Sequence, residues 1–196
     1  GIAAPILVFG PTHPQQAGDL LQYDLTQSVY TTDGALALSA ATSSLGKKIK
    51  IHLKVDTGMG RLGLLPQNLK ADRAELMNTD TITETLAVAA LEGLELQGIF
   101  THFAAADSAD KTFAEHQLDL FLDYIQCLQK EGLDPPLKHA ANSGALIDLP
   151  ESHLDMVRPG IATYGLYPSD EVDKSRVDLK PAMTLKSKII QLKKVP

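Results

Sequence analysis

Tryptophan is absent from the 196 residues, aromatic residues make up only 5%, and cysteine occurs once, as Cys127. A single thiol excludes an intrachain disulfide and a cysteine metal cluster, and it fits a reducing compartment such as the cytoplasm. There is no basic surplus: 18 basic against 24 acidic residues leave a net charge of −6, which argues against a nonspecific nucleic-acid partner. No apolar run approaches the roughly 20 residues needed to cross a bilayer, and no secretory signal is visible. Internal repeats and low-complexity segments are also missing. What remains is 44% apolar and 21% charged, an ordinary globular composition with length enough for one sizeable core. Gly1 and Val195-Pro196 both read as interior sequence, so both ends are expected to be cut.

Hydrophobic patterning predicts alternating strands and helices. Strands are expected at Ile6–Phe9, Ser28–Thr31, Ile49–Val55, Leu96–Phe100, Leu137–Ala141 and Asp155–Val157. Helices are expected at Gln15–Tyr23, from Asp33 (as cap) to Gly46, at Pro66–Asn78, at Thr83–Leu91, at Thr112–Glu131 and from Asn142-Ser143 onward. In the helix from Thr112, Leu118, Phe121, Leu122, Ile125 and Leu128 share one face and Gln117 lies elsewhere. Met183–Leu192 alternates like a strand with no helix after it. About six parallel β/α units are thus predicted. They fit part of a (β/α)8 barrel over residues 1–180, with residues 181–196 opening a second, β-rich domain. A doubly wound open sheet competes, although its glycine-rich dinucleotide turn is absent.

In a β/α barrel the chemistry sits at the C-terminal ends of the strands. Four such ends carry unusual polar residues: Lys54 to Gly63, Thr101-His102-Phe103, His139 to Ser143, and Arg158-Pro159-Gly160-Ile161. Each has a plain structural reading. The glycines of Gly58–Gly63 suit a tight turn, Lys54 suits a solvated strand edge, and Arg158 suits an ion pair with Asp155 or Asp56. Together they form a donor-rich rim of Lys54, Arg61, His102, Ser143 and Arg158. Ser143 at a helix start, with Gly160 allowing close backbone approach, points to a phosphorylated ligand. Spacing alone leaves a sugar phosphate and a cofactor phosphate equally open.

At these residues the sequence resembles the alanine racemases, pyridoxal-phosphate enzymes of fold type III. The matching stretches are KVDTGMGRLG (54–63), GIFTHFAAAD (98–107), HAANSGA (139–145) and MVRPGIATYGL (156–166), and similarity runs through nearly the whole chain. The resemblance implies a barrel carrying pyridoxal 5'-phosphate, a β-rich second domain and a head-to-tail homodimer. It implies that Arg158 faces the pyridine nitrogen and that His102 lies beside the ring. Ser143, Gly160 and Ile161 would form the phosphate cup, with Asn142 beside it. Arg61 would bind the coenzyme near its phenolic oxygen and also meet the substrate's carboxylate, Met59 would meet the substrate, and Lys54 would be a carbamylation candidate that orients Arg61. An arginine keeps its proton, so Arg158 would leave the ring nitrogen unprotonated and limit side reactions such as transamination.

The implied activity is the interconversion of L- and D-alanine, supplying D-alanine for cell-wall peptidoglycan, in the cytoplasm, without a metal and without nucleic-acid or membrane partners. The resemblance also requires a coenzyme-binding lysine in a motif like VVKANAYGHG and a tyrosine base in a motif like VSYG. Neither motif occurs in these residues, so the chain is expected to be an inactive fragment of a competent enzyme. A non-catalytic pyridoxal-phosphate barrel, or a racemase of another amino acid such as serine, is the alternative.

Overall fold

The computed structural model describes residues 2–43, 46–66 and 79–195. Five strands form one all-parallel sheet in the order β1-β2-β3-β4-β5: β1 (Ile6–Val8), β2 (Leu25–Val29), β3 (Ile49–Lys54), β4 (Leu94–Phe100) and β5 (Leu137–His139). Helices α1 (Ala17–Gln22), α2 (Thr32–Ser43), α3 (Thr79–Ala89) and α4 (Thr112–Lys130) make the crossovers, and α5 (Ser143–Asp148) follows β5. Each strand pairs with its sequence neighbour, so the order never reverses. A doubly wound sheet reverses at its switch point. The competing architecture is therefore excluded, and the sheet is a curled half of a (β/α)8 barrel.

β3 shows how sequence builds the two faces. Ile49, Ile51 and Leu53 are at most 1% exposed and join one core cluster with Ala35, Leu38, Val88, Phe121, Tyr124 and Leu128 of the helices. Their alternates His52 and Lys54 are polar, nearly buried, and lie on the opposite, concave face. Opposite β3 the register slips: Ile51 faces Leu96, but His52 faces Gly98 and Lys54 faces Phe100. The extra residue in β4, a β-bulge, sets Gly98 and Phe100 against the two polar residues.

Several expectations shift. The cap of α2 is Thr31, whose Oγ1 accepts the Gly34 N–H at 3.1 Å, rather than Asp33. On α4, Leu122 is 41% exposed while Gln117 is fully buried. Gln117 earns its place through polar contacts: Oε1 accepts the Ala104 N–H at 2.9 Å, and Nε2 reaches His102 O at 3.3 Å. Gly132 ends α4 at φ +85°, and Leu133 N–H donates back to Leu128 O. The helix expected at Pro66–Asn78 lies outside the described residues beyond Pro66.

Among the described residues the sixth strand is not formed. Asp155 N–H donates to Lys138 O and Arg158 N–H to Ala141 O, so the segment follows β5. Leu154 just ahead of it takes φ +48°, and Asp155 spends its carboxylate on the Lys138 N–H; no continuous ladder results. Met183–Leu192 likewise forms no strand: Leu185 is 94% and Ile190 96% exposed, and without a neighbouring strand its backbone has no ladder to join. No helix among the described residues is long and apolar enough to cross a membrane.

Candidate functional site

The concave face and the loops at the C-terminal ends of β3, β4 and β5 build the site. Asp56 organises the loop after β3. Its carboxylate accepts three backbone N–H groups, from Gly58 (3.0 Å), Gly60 (3.1 Å) and Arg61 (2.8 Å). Burial pushes this carboxyl up, but the three amides and the Lys54 charge outweigh it and hold it below its ordinary value. Gly58 and Gly63 sit at φ +138° and +135°, where a side chain is strained. Lys54 is 5% exposed, not a solvated edge, and its Nζ donates to Leu62 O. Burial and the charges of Arg61 and Arg158 lower its pKa, against the opposing pull of Asp56.

Arg158 is the centre of the site. Nη1 donates to His139 Nδ1 at 2.7 Å, and Nη2 donates to Thr101 O at 2.7 Å and Ala140 O at 2.9 Å. His102 Nδ1 stands 3.5 Å from Nη2. The guanidinium lies 5.2 Å over the Phe100 ring, and His139 stacks on that ring at 4.7 Å and 5°. Neither Asp56 nor Asp155 pairs with Arg158. Its partners are all neutral, and burial brings its pKa down to about 10. Nε–H and one Nη1–H are left for a ligand. Burial, then the charges of Arg158, Arg61 and Lys54, lower His102 to about 4, so it is a neutral imidazole.

Behind β5, Asn142 caps α5 by accepting the Ala145 N–H at 3.1 Å. Ser143 is 5% exposed; its Oγ accepts the Ala162 N–H at 3.2 Å and keeps its own proton to donate. The 3-10 turn Ile161–Tyr164 follows Gly160, and a Cβ at Gly160 would stand 3.8 Å from Ser143 Oγ. Gly144 lets α5 approach the loop after β4; a Cβ there would meet Asp107 N at 2.8 Å.

Two adjoining hollows share His102, Arg158 and Gly160. One, of about 530 Å3, is lined also by Phe9, Lys54, Arg61 and Phe100. The other, of about 330 Å3, is lined also by Met59, Asn142, Ser143 and Ile161. All nine expected site residues therefore fall on one crevice. Among the described residues the larger hollow has three cations and no carboxylate in its wall, which suits an anionic ligand. Sequence reasoning missed Asp56, His139, His52 and Gln117 as contributors. His139 heads one quoted motif and Asp56 stands inside another, while His52 merely occupies a polar position of the β3 alternation.

A half-barrel whose strand ends gather a half-buried guanidinium, a serine at a helix start and a cationic wall defines the class: a β/α-barrel protein with its polar side chains collected at the C-terminal ends of its strands. The comparisons narrow it. The family model "Alanine racemase, N-terminal domain" matches residues 1–168. The chain is 50% identical over 196 residues to the alanine racemase of Desulfosudis oleivorans, covering all of this chain and 50% of that protein. It is 44% identical to that of Desulforamulus reducens, again covering 50% of it. The alanine racemase of Clostridium difficile 630 in complex with cycloserine superposes with a TM-score of 0.88 at 38% identity, over 99% of this chain and 50% of that one. That from Bacillus anthracis with bound L-Ala-P gives 0.79 at 31% identity, over 92% of this chain and 44% of the other. The chain belongs to the alanine racemase N-terminal domain family, and it spans about half the length of the curated relatives it matches.

Proposed function

We propose that this chain is the coenzyme-gripping part of a pyridoxal-phosphate enzyme that interconverts L- and D-alanine. The observation that carries the reading is Arg158, a half-buried guanidinium that, among the described residues, has only neutral partners, keeps two N–H groups to spare and lines a hollow without carboxylates. The donor set fits the coenzyme at both ends: Ser143 and the backbone at Gly160 and Ile161 toward the phosphate, Arg158 toward the ring nitrogen.

When bound, pyridoxal phosphate supplies an electron sink for the amino acid's α-carbon. Arg158 keeps its proton, since even a value of about 10 lies far above that of a pyridine nitrogen, and so donates a hydrogen bond without transferring the proton. His102, neutral, would lie beside the ring. Ser143 would donate a hydrogen bond from its hydroxyl to the phosphate. Arg61 takes the substrate carboxylate, with Met59 shaping the space beside it and Asn142 holding the cup's helix. Lys54, its ammonium weakened by burial, carries a carbamate: its free amine adds to CO2, releases one proton, and becomes an anion that pairs with Arg61.

The coenzyme-binding lysine and the tyrosine base belong to sequence outside these 196 residues. Residues 1–180 form the barrel part, residues 181–196 open the second domain, and the working protein is a cytoplasmic homodimer whose product is D-alanine for peptidoglycan. The complete gene product, given L-alanine and coenzyme, is expected to lose optical rotation to zero. Rotation that persists with coenzyme demonstrably bound rejects the reading. The 196-residue chain alone is expected to bind the coenzyme without a covalent link, so borohydride treatment leaves no label on any lysine.

A further inference from the structure

Arg158 leans on His139, and His139 leans on something in turn. The His139 Nε2 and His52 Nδ1 atoms are 2.8 Å apart. The direction of these bonds is fixed by Arg158, which has only donors. Arg158 gives a hydrogen to His139 Nδ1, so that nitrogen accepts and the His139 proton sits on Nε2. Nε2–H must then donate to His52 Nδ1. Both imidazoles are accordingly neutral, and both are nearly sealed from solvent, His139 at 0% and His52 at 4% exposure.

The fold makes room for the second ring specifically. The bulge in β4 brings Gly98 opposite His52, and a Cβ at Gly98 would stand only 2.7–2.9 Å from the His52 ring atoms. His139 is held in plane by Phe100 and at its edge by His52. Without an acceptor at His52 Nδ1, the His139 proton on Nε2 is buried and unpaired. The alternative tautomer would place that proton on Nδ1, against the guanidinium, and push Arg158 out of line.

We propose that His52 is a positioning residue: by accepting from His139 Nε2–H it fixes the His139 tautomer and so keeps Arg158 aimed at the ring nitrogen. The final clause rests on the coenzyme reading above; the imidazole chain stands without it.

The test is nitrogen-15 spectroscopy of ring-labelled histidines in the complete gene product, with and without coenzyme. In the unaltered protein His139 is expected as the pure Nε2–H tautomer and His52 with an unprotonated Nδ1. His52→Leu is expected to move His139 to a mixture of tautomers and, in the loaded enzyme, to raise the transaminated share of product roughly tenfold, the scale of one weakened charge-assisted hydrogen bond. His52→Asn, whose side-chain oxygen places an acceptor near the lost Nδ1, is expected to restore both. A proton found on Nδ1 of either histidine in the unaltered protein overturns the proposal. So does His52→Leu with an unchanged His139 spectrum, or His52→Asn that folds but performs no better than His52→Leu. Should His52→Leu fail to fold, the unaltered spectrum and His52→Asn decide. Coenzyme that does not bind the unaltered protein refutes the coenzyme reading alone and leaves the tautomer pattern to be judged on its own.

Discussion

At the residue scale, the site runs on charges and protons held away from their ordinary states. Arg158→Glu in the complete enzyme is expected to favour a protonated ring nitrogen and raise transamination relative to racemisation, read by product analysis; an unchanged ratio removes Arg158 from its assigned place. Lys54 tests separately: with labelled CO2, a carbamate carbonyl signal is expected, and it should vanish in Lys54→Arg. Acid is expected to destabilise the fold through the histidines. Burial, then the Arg158 charge, lowers His52 to about 4, so its contribution is fully present above the unfolded value of about 6.5 and is lost as pH falls through about 4. Chemical denaturation at about pH 7 and about pH 4.5 should show a loss of the order of 2–3 kcal/mol from His52 alone, absent in His52→Asn. The residues that carry donors to a ligand were legible because lysine, arginine, histidine and serine are unusual at strand ends. Asp56, His139 and His52 were not, because their work is done on other protein groups, and nothing in a linear motif separates a carboxylate that collects backbone amides from one that pairs with an arginine.

At the element scale, strands and helices were legible wherever the period was long. α4 stands within a residue of its expected bounds, but two occupants were misplaced: Leu122 is exposed, and Gln117 is buried because the loop after β4 needs its carboxamide, a demand that no helical period encodes. The segment 155–157 was expected as a strand leading into Arg158-Pro159-Gly160, yet Leu154 at φ +48° and the bond that the Lys138 N–H donates to the Asp155 carboxylate take its backbone out of register. Glycines give the sharpest tests here. Gly144→Ala puts a methyl against the backbone of Ala106 and Asp107 and should cost about 1–3 kcal/mol while weakening phosphate binding, measured by thermal unfolding and by titration with coenzyme. Gly18→Ala, inside α1 with nothing within 4 Å, should instead stabilise by about 0.5–1 kcal/mol and leave coenzyme affinity unchanged.

At the scale of the whole molecule, β1 and β5 are the two margins of an unclosed parallel sheet, and apolar Ile2, Phe9, Leu185 and Ile190 stand well exposed. Open margins of this kind recruit other chains. The 196-residue polypeptide is therefore expected to associate as its concentration rises, visible in sedimentation velocity, and charged substitutions at Ile189 and Ile190 should reduce that association. Parallel β/α architecture was legible as a whole because strands and helices alternate. The choice between barrel and open sheet was not legible in that alternation; the family resemblance supplied it, and the strand order bears it out.

Among the described residues, the hydrogen-bond and ring partners of Arg158 all lie between Phe100 and Ala141, and the Asp56 loop and His52 add only β3 and its turn. A reading frame interrupted upstream of Ile49 would leave these contacts on the downstream polypeptide while removing Phe9 from the larger hollow and β2 from its pairing with β3. The contacts that hold the Arg158 guanidinium are thus carried in sequence as a single block, and two separately translated pieces meeting at the β2–β3 seam would part that block from the first two strands.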